Sequence, residues 1–206
     1  MKLLPCLDGI FWGLTLTAIF INCHLLIHSF FTGYIIFIYY VPVLLIFHYT
    51  RRLPAAANPD REWLETCSRL RWSALITAAL VPFWGWWQKV MENWYLLVNS
   101  CLLAMVAAWY LFNLAGLLKI ISMQSDWHNC RRLSSFTRLS VIYLIFGPLL
   151  AFTAAAAYTI GRDTGSAIDL FLMHAQLWKK LVLQLPLFLA IITLFLVRRK
   201  LRAGRE

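Results

Sequence analysis

The sequence predicts an all-α polytopic membrane protein, a single domain of six transmembrane helices with N- and C-termini cytoplasmic. Three observations lead there. Of 206 residues, 61% are hydrophobic and only 14% charged, where soluble domains carry about a quarter charged. The apolar residues gather into uncharged runs of spanning length, and the basic residues fall between those runs with a bias to one side. The formal charge of +10 is spread over short runs rather than one stripe, so the expected partner is a bilayer with anionic headgroups and not nucleic acid.

Between Asp8 and Arg51 lie 42 residues without a formal charge, about twice the roughly 20 that one helix needs to cross the hydrocarbon core. Two spans are therefore expected, 9–28 and 33–49, with the reversal at Ser29 to Gly33, where Ser, Thr and Gly suit a tight turn. A hairpin that dips in and returns is the alternative. Further runs at 72–88, 94–118, 139–160 and 180–197 bring the total to six. With the N-terminus inside, fifteen basic residues face the cytoplasm and four, Lys89, Arg162, Lys179 and Lys180, face out. That asymmetry is the one expected of a multi-pass protein of the inner (plasma) membrane.

The first inner loop offers Asn58 as a helix cap with Pro59 at the first helical position. Trp63, Cys67 and Leu70 then recur at i, i+4 and i+7, while Arg61, Glu65 and Arg69 form a charge ladder on another face. The segment reads either as a short helix lying on the inner leaflet or as a docking helix for a cytoplasmic protein, with Arg61, Trp63 and Arg69 making the contact. The second inner loop, Ser122 to Arg138, repeats this surface character. On the outer side, Ser166 and Asp169 resemble a capping box, opening a helix that lies flat before the last span. Pro42, Pro82, Pro148 and Pro186 fall in spans two, three, five and six, a placement compatible with an inverted repeat of three spans.

Chemistry-bearing residues are few. Five cysteines stand singly with no C-x-x-C pair, so no zinc knuckle or dithiol centre is encoded. There is no H-E-x-x-H, no G-x-S-x-G and no phosphate-binding glycine loop, and no local catalytic site is predicted. The middles of the spans hold no Asp, Glu, Lys or Arg, which disfavours an ion-coupled carrier. Thr15, Thr17, Asn22, Asn99, Asn113, Thr153 and Gln184 are expected to bond from helix to helix. His24 and His28 share a helix face near the outer end of the first span. With His174 and Glu92 on the same side, they could hold haem or a metal ion.

The run Trp84-Gly-Trp-Trp, with Glu92-Asn93 after it, is similar to the Trp-rich signature of the haem-handling membrane proteins of cytochrome c maturation. That similarity implies haem carried by outward-facing histidines, here His24, His28 and His174. It covers only a short stretch, and Gln88, Lys89 and Val90 stand where the family's closing Trp-Asp element would follow. An aromatic belt at the outer interface accounts for the same residues. The sequence thus leads first to a membrane-embedded subunit of a larger complex, permease-like or an assembly factor. A haem or metal handler and a lipid-modifying enzyme stand as the alternatives.

Overall fold

A computed structural model describes residues 3–26, 35–56, 60–87, 94–147 and 177–204. These are 96% helical and contain no strand, as expected of chain that must satisfy its own backbone polar groups in lipid. The elements are α1 (Leu3–Leu26), α2 (Ile35–Arg52) with a 3-10 turn at Leu53–Ala56, α3 (Arg61–Trp87), α4 (Trp94–Gln124), α5 (His128–Val141) and α6 (Leu177–Ala203). Helix α5 widens into a π turn at Ile142–Phe146, directly before Gly147-Pro148, where the proline ring has no N–H to continue the ladder.

Each helix packs on the next in sequence, and α6 closes the ring by packing on α1 as well as on α5 and α4. Short connections set α2 against α3 and α4 against α5 as antiparallel pairs. The start of α1 meets the end of α6 through Asp8 and Arg198, and the end of α6 meets the α4/α5 turn through Lys200 and Trp127. One end of the bundle therefore gathers the start of α1, the end of α6 and both short connections. At the opposite end Asn22 of α1 reaches Gln184 of α6, and Phe83 of α3 meets Tyr95 of α4 with ring centroids 5.8 Å apart.

Among the described residues, three helices are long and apolar enough to cross a membrane, over Leu3–Asn22, Val98–Gln124 and Val182–Ala203. They correspond to the expected spans 9–28, 94–118 and 180–197, displaced toward the basic end of the bundle. The expected spans 33–49 and 72–88 overlap α2 and α3. Helix α2 is only 18 residues and ends on Arg51 and Arg52, and the apolar part of α3 is interrupted by Pro82 and crowded with tryptophan. The expected fifth span, 139–160, is described only as far as Gly147, and the turn at Ser29 to Gly33 and the outer segment around Ser166 and Asp169 lie outside the described residues.

Two surface segments expected from the sequence are instead parts of the bundle. Helix α3 begins at Arg61 and runs unbroken to Trp87, so the amphipathic stretch and the following span are one rod. Ser122 to Arg138 is likewise the end of α4, a tight turn and the start of α5, with Cys130, Ser134, Thr137, Ser140 and Val141 buried. The turn is a Schellman reversal: the Trp127 N–H donates to the Ser122 carbonyl at 2.8 Å and the Asp126 N–H to the Met123 carbonyl at 3.4 Å. Asp126 takes the left-handed conformation, φ 51°, at the position glycine usually fills.

Helix α1 crosses α2 closely. Gly9 and Gly13, one turn apart on α1, leave no room for a side chain. A Cβ on Gly9 would overlap the Tyr49 ring, and one on Gly13 would sit 3.1 Å from the Pro42 carbonyl oxygen. Gly116 of α4 faces open space by the same measure. Replacing Gly9 by alanine should therefore cost about 1–3 kcal/mol through overpacking. Gly116→Ala should be neutral or slightly stabilising through helix propensity. Thermal unfolding of the two variants in mild detergent checks the contrast, and equal melting temperatures would remove the close crossing.

Candidate functional site at the basic end of the bundle

Asp8 is the first acidic residue of the chain and lies within an otherwise apolar stretch. It is held by two arginines one helical turn apart on α6. Arg198 Nε donates to Asp8 Oδ1, and Arg202 Nη2 donates to both carboxylate oxygens at 3.2 and 3.1 Å. The Arg198 side chain is only 8% exposed, Asp8 29% and Arg202 57%. Arg198 also lies with its guanidinium carbon 4.1 Å from the Phe11 ring centroid, and Phe11 continues to Phe195 at 6.2 Å. A cation buried this deeply needs a counter-charge, and Asp8 supplies it.

Two further cations at this end lie over aromatic rings. Lys200 sits 5.5 Å from the Trp127 ring centroid, and the half-buried Arg138 lies 4.1 Å from that of Phe112. Cations over ring faces contribute about 0.5–2 kcal/mol each, more as water is excluded. Arg51, Arg52, Arg131, Arg132 and Arg199 are exposed around them. This end thus combines a few cations built into the bundle with a rim of solvent-facing ones.

The expected docking residues part company. Trp63 is 2% exposed and belongs to the same core as Leu7, Leu53, Cys67 and Leu70; it faces inward and is a packing residue, because the i, i+4, i+7 stripe that marked it is the stripe the bundle buries. Arg61 and Arg69 are exposed and reach Glu65 from either side, at 3.2 and 3.9 Å. Glu62 and Leu64 share the exposed surface with them. At Trp72, 61% exposed, the outer face of α3 turns apolar, so the charged segment stands as a rigid extension of the helix.

Most of the expected haem or metal ligands lie beyond the described part of the chain. His24 lies in the last turn of α1, while His28, His174 and Glu92 lie outside the described residues. Among the described residues, no group of three or more His, Cys, Asp or Glu is placed to hold a metal ion. Cys67 is buried before the apolar part of α3, and burial pushes its thiol up to about 12 from the ordinary 9.0.

Most polar side chains of the apolar runs turn back on their own helices. Thr15, Thr17, Asn99 and Asn113 each donate to the carbonyl four residues earlier, at 2.7 to 2.9 Å. Contacts from helix to helix are made by Asn22, which donates to Gln184 Oε1 at 2.8 Å as well as to its own helix, and by two pairs outside the expected set, Thr50 with Tyr110 at 3.0 Å and Thr137 with Thr193 at 3.4 Å. Thr153 lies outside the described residues. No family model, curated protein or solved structure matches this chain.

The Asp8 cluster was the feature the sequence reading passed over, although a lone carboxylate inside an apolar run is itself a signal that a partner exists. Asp8→Asn should leave Arg198 buried without a counter-charge and cost about 3 kcal/mol. Arg202→Gln, at an exposed position, should cost under about 1 kcal/mol. Comparable melting temperatures for the two variants would show that burial does not govern the pair. Cys67 gives a second check. With its folded value raised, less than about one thiol in a thousand ionises at pH 8, so maleimide labelling of the folded protein should lag far behind that of the detergent-unfolded chain. The same shift should make stability fall as pH rises from about 9 toward 12.

Proposed function

We propose that this chain is a multi-pass protein of the inner (plasma) membrane, crossing six times with both termini cytoplasmic, that serves as a membrane-embedded subunit of a larger complex. The observation that carries the docking role is the continuity of α3. Its first ten residues stand beyond the apolar boundary at Trp72, yet their inner face is built into the core through Trp63, Cys67 and Leu70. The ladder of Arg61, Glu65 and Arg69 is thereby presented on a backbone that has already lost its freedom, which lowers the ordering cost of binding. Its mixed charge suits a protein surface of complementary pattern better than a uniformly anionic headgroup layer. The topology is supported by the antiparallel order of the helices, by the pairing of the first and last helices at Asp8, and by the fifteen-to-four distribution of basic residues.

The test is purification from native membranes in mild detergent, followed by mass-spectrometric identification of what travels with the chain. Reversing both charges, Arg61→Glu with Arg69→Glu, should release a protein partner by at least about tenfold, as loss of paired interface charges does, while costing the fold about 1–2 kcal/mol, because two i,i+4 pairs with Glu65 become like-charge pairs. A chain that purifies alone before and after the change ends the docking role. The absorption spectrum of the same particle reports on the haem alternative, which requires a Soret band lost with His24→Ala or His174→Ala.

A further inference from the structure

Helix α2 carries an open groove of about 470 Å³ on its outward side, lined by Val41, Leu44, Leu45, Phe47, His48 and Arg51. Its character changes along its length. Val41 and Leu44 are exposed aliphatic residues, whereas His48 and Arg51 put an imidazole and a guanidinium at the other end. Arg51 is exposed and makes no ion pair among the described residues, whereas Arg138, Arg198, Lys200 and Arg202 at the same end of the bundle already have Asp8, Phe11, Phe112 or Trp127 beside them.

The dimensions select the occupant. Ten residues separate Val41 from Arg51, which on an α-helix is about 15 Å, and one leaflet of a hydrocarbon core about 30 Å thick has the same depth. An acyl chain laid along Val41, Leu44 and Leu45 brings its headgroup level with His48 and Arg51. There a phosphodiester meets the exposed Arg51 guanidinium and a ring N–H donor. We propose that this groove is a specific site for one anionic phospholipid of the inner leaflet, held by its phosphate at Arg51 and His48 and by one acyl chain along the aliphatic wall. The site rests on the membrane placement of the chain and is independent of the docking role of α3.

Native mass spectrometry of the full chain, released from mild detergent after incubation with phosphatidylglycerol or phosphatidylcholine, tests it. One phosphatidylglycerol should be retained in preference to phosphatidylcholine. Arg51→Gln should lower that retention about fivefold, the worth of one Arg at a membrane surface. Leu44→Trp, which fills the groove without changing charge, should lower it as well. Arg71→Gln removes an equally exposed cation beside Trp72 and should leave it unchanged, as should inorganic phosphate at equal concentration. Equal retention of the two lipids, an equal loss with Arg71→Gln, displacement by inorganic phosphate, or indifference to Leu44→Trp would each overturn the site. All three variants alter outward-facing side chains, so unchanged melting temperatures verify that the fold is intact. Partner release by the Arg61 and Arg69 reversal reads the docking role separately.

Discussion

The bundle depends on closing a ring of helices whose first and last members are far apart in sequence, and a carboxylate held by two arginines performs that closure. Helices α4 and α5 are brought together by the short Ser125-Asp126 turn, but α1 and α6 are separated by the whole intervening bundle. Their seam is fixed at one end by Asp8 with Arg198 and Arg202 and at the other by Asn22 with Gln184, with Phe11 and Phe195 meeting between. Lipid supplies little drive for helices to associate, since chain tails are as apolar as leucine. Polar pairs at the two ends therefore set the register of the seam, while small-residue packing does the same for α1 on α2.

Much of this was legible in the sequence. The uncharged runs located the apolar parts of α1 to α4 and of α6, the basic residues located one end of the bundle, and the Trp63, Cys67, Leu70 stripe correctly marked a buried face. What the stripe could not say was what would bury it. A membrane surface, a partner protein and the chain's own core all cover an apolar face equally well, and only the third removes Trp63 from reach. The continuity of α3 was hidden for a related reason. The change from an amphipathic to an all-round apolar pattern near Arg71 is the same whether a helix ends there or simply enters lipid.

The polar side chains show a different limit. Thr15, Thr17, Asn99 and Asn113 were expected to bridge helices, but a carbonyl of their own helix is always within reach four residues back. Asn22 makes that local bond too, at 2.7 Å, and still reaches Gln184. Composition alone does not separate the two behaviours, because the choice depends on which neighbouring helix faces the side chain. Asp8 was more readable, since a charge inside an apolar run has no comparable local solution, and Arg198 and Arg202 lay in plain view as cations spaced by one turn.

The unbroken course of α3 decides where a force on its exposed tip is felt. A load applied to the Arg61 and Arg69 face cannot be absorbed by a flexible joint at the water boundary, because Trp63, Cys67 and Leu70 clamp that part of the rod to its neighbours. Its first soft point is Pro82, where the missing N–H leaves the Ala78 carbonyl without its helical donor. Whatever grips the near tip of this helix thus bears first on the neighbours that clamp it, and the proline stands between that load and the tryptophan-rich far tip.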